Sequence, residues 1–217
     1  VRAIEENRTY QRTEIFHTPY HLREKVATCR YSISGFPSLY MGTALALCVE
    51  ESIQKSDRLF IGSKFQMNRS TRDNGNINIQ VMDLSIKPQD FLKVPGVDGN
   101  VFYSQQDGDD LAHRYLYWYP LIAACSFIRK SKNDPFSPEY IIPQLLMQWV
   151  REQYVKSSHH EELVGIRYFS CASRKAAELG FNYVFPVSGK SEESLGNHYC
   201  SVLANAFELT KPIIIEK

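Results

Sequence analysis

Two hydrophobic periodicities follow one another along this chain in irregular order, and that order constrains the fold more than any single motif. Strand-like runs fall at residues 38–41, 59–62, 77–86, 163–169 and 182–187, each bounded by Gly, Pro, Asn or Ser. Helical spacing appears between them without a regular strand-helix-strand alternation. The pattern predicts an α+β chain, a mixed sheet with flanking helices, and argues against a doubly wound parallel sheet.

The first 28 residues mix charge with Phe16 and a His17-Thr18-Pro19-Tyr20-His21 turn, predicting a strand or short helix that leads into a strand at Arg30. After Gly42, Thr43 can cap a helix reaching about Gln54. Residues 44–49 are apolar all round, so this helix is expected to be buried and the carboxylates at its end partly desolvated. Asp109 or Asp110 can open a helix that passes Trp118 and is kinked or restarted by Pro120, and its aromatic load suggests core. Ser137 followed by Pro138 starts another helix, with Ile141, Ile142, Leu145, Leu146, Trp149 and Val150 on one apolar face. A short helix at 172–179 is stopped by Gly180, and a pair of strands near 203–209 and 212–215 closes the chain.

With 217 residues and 43% hydrophobic content the chain can bury a sizeable core, and one domain over 1–217 is expected. Its 25 Lys and Arg nearly balance 24 Asp and Glu, so no overall field favours nucleic acid or an anionic membrane. The five cysteines are scattered and never form a Cys-x-x-Cys pair, which suits reduced thiols in a soluble, cytoplasmic protein. No apolar run is long enough to span a bilayer, and no cleavable leader opens the chain. It begins with Val, as a processed product or a piece of a longer protein would.

The familiar phosphate loop, dinucleotide fingerprint, nucleophile elbow and His-Glu-x-x-His motifs are missing. Gly189-Lys190-Ser191 lacks the preceding glycine and reads as a loop. The run His159-His160-Glu161-Glu162 reads as a solvated linker, because adjacent side chains on a regular element do not converge on one metal. No metal site is expected.

One constellation remains. Arg30 precedes a Gly35-Phe36-Pro37-Ser38 turn, and a planar, permanently charged fork there suits an anionic ligand. Tyr40 and Glu51 would flank it. Glu50 and Glu51 point about 100° apart on a helix, so only one can easily face Arg30. Ser170 stands at the end of the strand 163–169, a usual place for ligand contacts. A structural salt bridge from Arg30 to either glutamate, with Ser170 as a helix cap, is the rival reading.

These pieces, Arg30-Tyr31, the Gly35–Tyr40 stretch, the helix ending in Glu50-Glu51 and Gly165-Ile166-Arg167-Tyr168-Phe169-Ser170, resemble in order and spacing the RES family, named for an arginine, a glutamate and a serine. The resemblance covers roughly residues 16–190. It implies an ADP-ribosyltransferase-like fold and a toxin-like enzyme that degrades NAD, with inorganic phosphate, water or a protein side chain as acceptor. By the family's spacing the glutamate is Glu51, although neighbouring Glu50 could take the role. Arg30, Glu51 and Ser170 would be catalytic, and Tyr31 or Tyr40 would stack on nicotinamide. The resemblance further implies a neutralising antitoxin protein as partner, and the extra length suggests an insertion around 55–110. Transfer of ADP-ribose to a macromolecule, and a non-catalytic module binding a nucleotide or partner, are the alternatives.

Overall fold

A computed structural model describes residues 1–52, 59–68, 78–87, 105–131, 136–156, 162–187 and 198–216. In chain order the strands are β1 (Arg2–Ile4), β2 (Ser38–Gly42), β3 (Leu59–Gly62), β4 (Phe65–Met67), β5 (Asn78–Leu84), β6 (Glu162–Phe169), β7 (Phe181–Pro186), β8 (Phe207–Leu209) and β9 (Ile213–Glu216). The α-helices are α1 (Leu45–Ser52), α2 (Gln105–Cys125), α3 (Ile141–Lys156) and α4 (Ser201–Ala206). Helices and mixed sheets make this an α+β protein.

The principal sheet has four strands in the order β2-β7-β6-β5. Within it β2 and β6 each pair antiparallel with β7, whereas β5 runs parallel to β6. Alternation along β7 sends Val184 to one face and Phe185 to the other, and each anchors a separate apolar cluster. On the Val184 face, Tyr115 and Ile122 of α2 and Met147 and Val150 of α3 pack over Ile166 and Tyr168. The opposite face holds Phe185, Leu39, Phe16 and Leu203 of α4. Gly165 lies where the Phe185 ring crosses β6, and a Cβ there would collide with that ring.

Two smaller sheets, β1-β3-β9 and β4-β8, complete the architecture. The strands at 59–62 and 78–84 lie within the segment expected to be an insertion, and β5 forms an edge of the principal sheet.

Several local expectations are corrected. Arg30 is not in a strand but in a tight turn closed by an isolated bridge between Cys29 and Ser32. Of α1 only Leu47 is buried, and Leu45 and Glu51 are exposed, so the helix lies at the surface. Thr43 Oγ1 accepts from the Phe181 N–H across the sheet. Residues 116–120 of α2 are exposed despite their aromatic content, and the helix runs on through Pro120. Ser137 caps by its carbonyl, which accepts from Tyr140 N–H, and not by its side chain. The helix expected at 172–179 is only a 3-10 turn at Ala176–Glu178. Residues 201–206 are helical, and the last two strands pair with β4 and β3, not with each other. His159, His160, Glu161 and the 189–191 loop lie outside the described residues.

No helix is long and apolar enough to cross a membrane among the described residues. Nor do these hold any group of three or more His, Cys, Asp and Glu able to bind a metal.

Candidate functional site

The site forms where α1 crosses the ends of β6 and β7. Two hydrogen bonds fasten the chain just before α1 to the start of β7: Thr43 N–H to Phe181 O at 2.9 Å and Phe181 N–H to Thr43 Oγ1 at 2.9 Å. Gly180 makes this possible, since its φ of +149° suits a residue without Cβ and a side chain would strike Thr43. Gly42 similarly admits α1, as a Cβ there would lie 2.6 Å from Cys48 Sγ.

Glu51, near the end of α1, is thereby laid over the strand ends. Its Oε1 accepts from Asn182 Nδ2 at 2.8 Å and also from Ser170 Oγ. Ser170 Oγ in turn accepts from Ala172 N–H at 3.2 Å, so this buried hydroxyl both caps the following turn and holds the carboxylate. The described residues offer Glu51 Oε2 no hydrogen-bond partner. Glu50 points elsewhere: Ser173 Oγ approaches it at 3.5 Å and Lys175 Nζ at 3.5 Å. The two adjacent glutamates therefore have different neighbours, as about 100° of helical rotation requires.

Arg30 is buried, and its guanidinium donates to Cys125 O and Phe127 O, both at 2.9 Å. It thus satisfies carbonyls at and beyond the C-terminal end of α2, where positive charge is favoured, and faces the Tyr140 ring at 5.1 Å. No ion pair joins it to Glu50 or Glu51 among the described residues. The arginine and Glu51 nevertheless act on the same two groups. Burial raises the Tyr168 hydroxyl and the Cys171 thiol above their ordinary pKa values, Glu51 pushes both further up, and Arg30 pulls both down.

Tyr31 is fully buried, with its ring 4.7 Å from that of Tyr168. It has no free face for a nicotinamide ring. Its hydroxyl lies beside the Cys125 thiol, which burial pushes up to about 11. Tyr40 differs: its hydroxyl accepts from Tyr31 N–H at 3.2 Å and meets Ser32 Oγ at 2.9 Å, while the residue stays 37% exposed. A cavity of about 260 Å³ lies along β2 and is lined by Tyr40, Ser32, Ser38, Cys29, Phe16 and Lys25. Glu51, Ser170 and Asn182 are not part of its lining.

Asn182 escaped sequence reasoning, which saw only the start of a strand. Its signal is weak but readable: a polar amide in an otherwise apolar, inward-facing strand needs a partner. Buried thiols with raised pKa values, Cys125 and Cys171, do not suit nucleophilic chemistry.

The structure thus defines an α+β protein with one surface carboxylate pinned by a buried serine and a buried asparagine. The chain is 29% identical over 211 residues to a protein of Bacillus subtilis (strain 168) named "Putative toxin YopC", a similarity covering 95% of this chain and 44% of the relative. It therefore spans less than half the length of that protein. No family description matches the chain, and no solved structure matches it.

Proposed function

We propose that the chain carries a toxin activity that cleaves the bond between nicotinamide and ribose in NAD. The observation that carries this reading is the posture of Glu51, with one oxygen held by Ser170 and Asn182 and the other given no partner by the described residues. The similarity to a toxin-named protein supports the toxin role, and the order of the Arg30, Tyr40, Glu51 and Ser170 motifs supports NAD as substrate.

In NAD the nicotinamide is already a cationic pyridinium that takes the bonding electron pair and departs neutral, so scission needs neither a metal nor a strong acid. It needs compensation for positive charge growing on the ribose. A carboxylate about 4 Å from that charge contributes about 4 kcal/mol at an effective dielectric near 20, and only about 1 kcal/mol in bulk water. Because Glu51 is exposed in the free protein, the substrate itself must cover it to reach the larger value. Oε2, which no described residue engages, is the oxygen that would take a ribose hydroxyl. Tyr40, an exposed residue whose hydroxyl is tied down, would stack on nicotinamide. Arg30, committed to two carbonyls, would act through its charge and by fixing the wall of the site, in place of gripping a pyrophosphate. A fold akin to the ADP-ribosyltransferases and restraint by an antitoxin protein belong to the same proposal.

Purified protein incubated with NAD, with and without inorganic phosphate, tests it. Release of nicotinamide, faster with phosphate, supports phosphorolysis; release independent of phosphate supports hydrolysis. ADP-ribose attached to a macromolecule would point to transfer, and thermal protection by NAD without turnover would reduce the site to a binding module.

A further inference from the structure

The outer side of α2 and α3 carries more apolar surface than the core uses. On α3, Pro143, Met147 and Val150 turn inward, whereas Ile141, Leu145 and Trp149 recur every fourth residue on the outer side, with Leu145 61% and Trp149 50% exposed. On and just beyond α2, Leu116, Tyr117 and Phe127 are also exposed, Tyr117 by 85%. The two helices pack against each other, and Arg30 touches both the Phe127 carbonyl and the Tyr140 ring, so the end of α2 borders the start of α3.

Size decides what this surface means. Taking a fully exposed large side chain as roughly 150–250 Å², these six residues together expose roughly 500–900 Å². Monomers usually carry no apolar patch above about 300–600 Å². A stable dimer buries about 800 Å² on each partner.

Charge decides the occupant. Residues 115–128 and 141–150 contain no charged side chain at all. A two-fold interface sets a patch against its own copy, and only a patch without charge, or with charges of both signs correctly placed, avoids like-charge opposition. The charges that border this surface, Arg129 and Lys130 after α2 and Arg151 and Glu152 on α3, carry both signs, and its centre offers none of the complementary charge that orients a different protein. Ridges spaced by four residues on two identical helices also interdigitate at a crossing angle of about −50°.

We propose that this face is where a second copy of the chain docks, α3 against α3 about a two-fold axis near Leu145. Sedimentation equilibrium over about 1–100 μM is expected to show a dimer with a dissociation constant at or below the micromolar range, as for standard-sized interfaces. Leu145→Glu is expected to weaken association by about 30-fold or more, the scale of an interface hot spot, with an unchanged circular dichroism spectrum. Should that variant not fold, Tyr117→Ser, on the most exposed residue of the patch, carries the same expectation. Wild-type chain that stays monomeric throughout, a dimer insensitive to both substitutions, or a monomer whose face is taken by another protein would each overturn the proposal.

Discussion

Asn182 on β7 donates from Nδ2 to Glu51 Oε1 at 2.8 Å, joining the end of α1 to the sheet across 131 positions of sequence. Ser170 at the end of β6 reaches the same oxygen. Two strand ends therefore set the posture of one surface carboxylate, which would otherwise sample many rotamers. Preorganisation of this kind is what electrostatic catalysis requires, since the group need not reorient as charge develops.

Replacing Asn182 by Ala removes one of the two restraints. A hydrogen bond to a charged group contributes about 1.5–3 kcal/mol, so NAD cleavage should fall about tenfold or more while the protein stays folded. Nicotinamide release, alongside a thermal melt, checks it. Unchanged turnover would mean that Ser170 alone positions Glu51.

Arg30→Ala should cost about 3 kcal/mol of stability, because two charged donors to buried or half-buried carbonyls disappear together. Urea unfolding measures the loss. Any fall in activity of this variant is to be read after that correction, and Arg30→Lys, which keeps the charge but not the fork, should recover only part of the stability.

Gly165→Ala should destabilise by about 1–3 kcal/mol through overpacking against the Phe185 ring. Combining it with Phe185→Leu should relieve most of that cost. If the single variant is as stable as the wild type, β6 and β7 are less tightly packed than described.

Stability should depend on pH through His17. Its Nε2 accepts from Cys200 N–H at 2.9 Å, and burial holds the imidazole below its ordinary value of 6.5. Only the neutral ring can accept there, so protonation favours the unfolded chain. The contribution is present in full above about pH 6.5 and is lost as pH falls below that towards the lowered folded value. Urea midpoints should therefore decline on acidification, and His17→Gln should flatten that slope while lowering stability near neutrality. Parallel slopes in the two proteins would assign the pH dependence to other groups.

The strands of the principal sheet were readable in the sequence because alternation and apolar runs report burial on two faces directly. The strands at 38–42, 162–169 and 181–186 fall within a residue of their expected limits. Turns and surfaces were less readable. Arg30 was expected in a strand, but the guanidinium is drawn to helix-end carbonyls 95 and 97 positions away, which no local pattern encodes. The outward Ile141, Leu145 and Trp149 shared one wide apolar face with core residues in the sequence, and only packing shows which part of that arc the sheet uses. At the site, the choice between Glu50 and Glu51 could not come from helical spacing alone; Asn182 and Ser170 separate them only once β6 and β7 are side by side.

The most direct measurement is nicotinamide release from NAD by wild-type, Glu51→Ala and Glu50→Ala proteins, each shown to be folded. The account predicts a loss of about a hundredfold or more for Glu51→Ala, the scale of removing one preorganised electrostatic contact, and near-normal turnover for Glu50→Ala. Full activity of Glu51→Ala, or no nicotinamide released by the wild type, would contradict it.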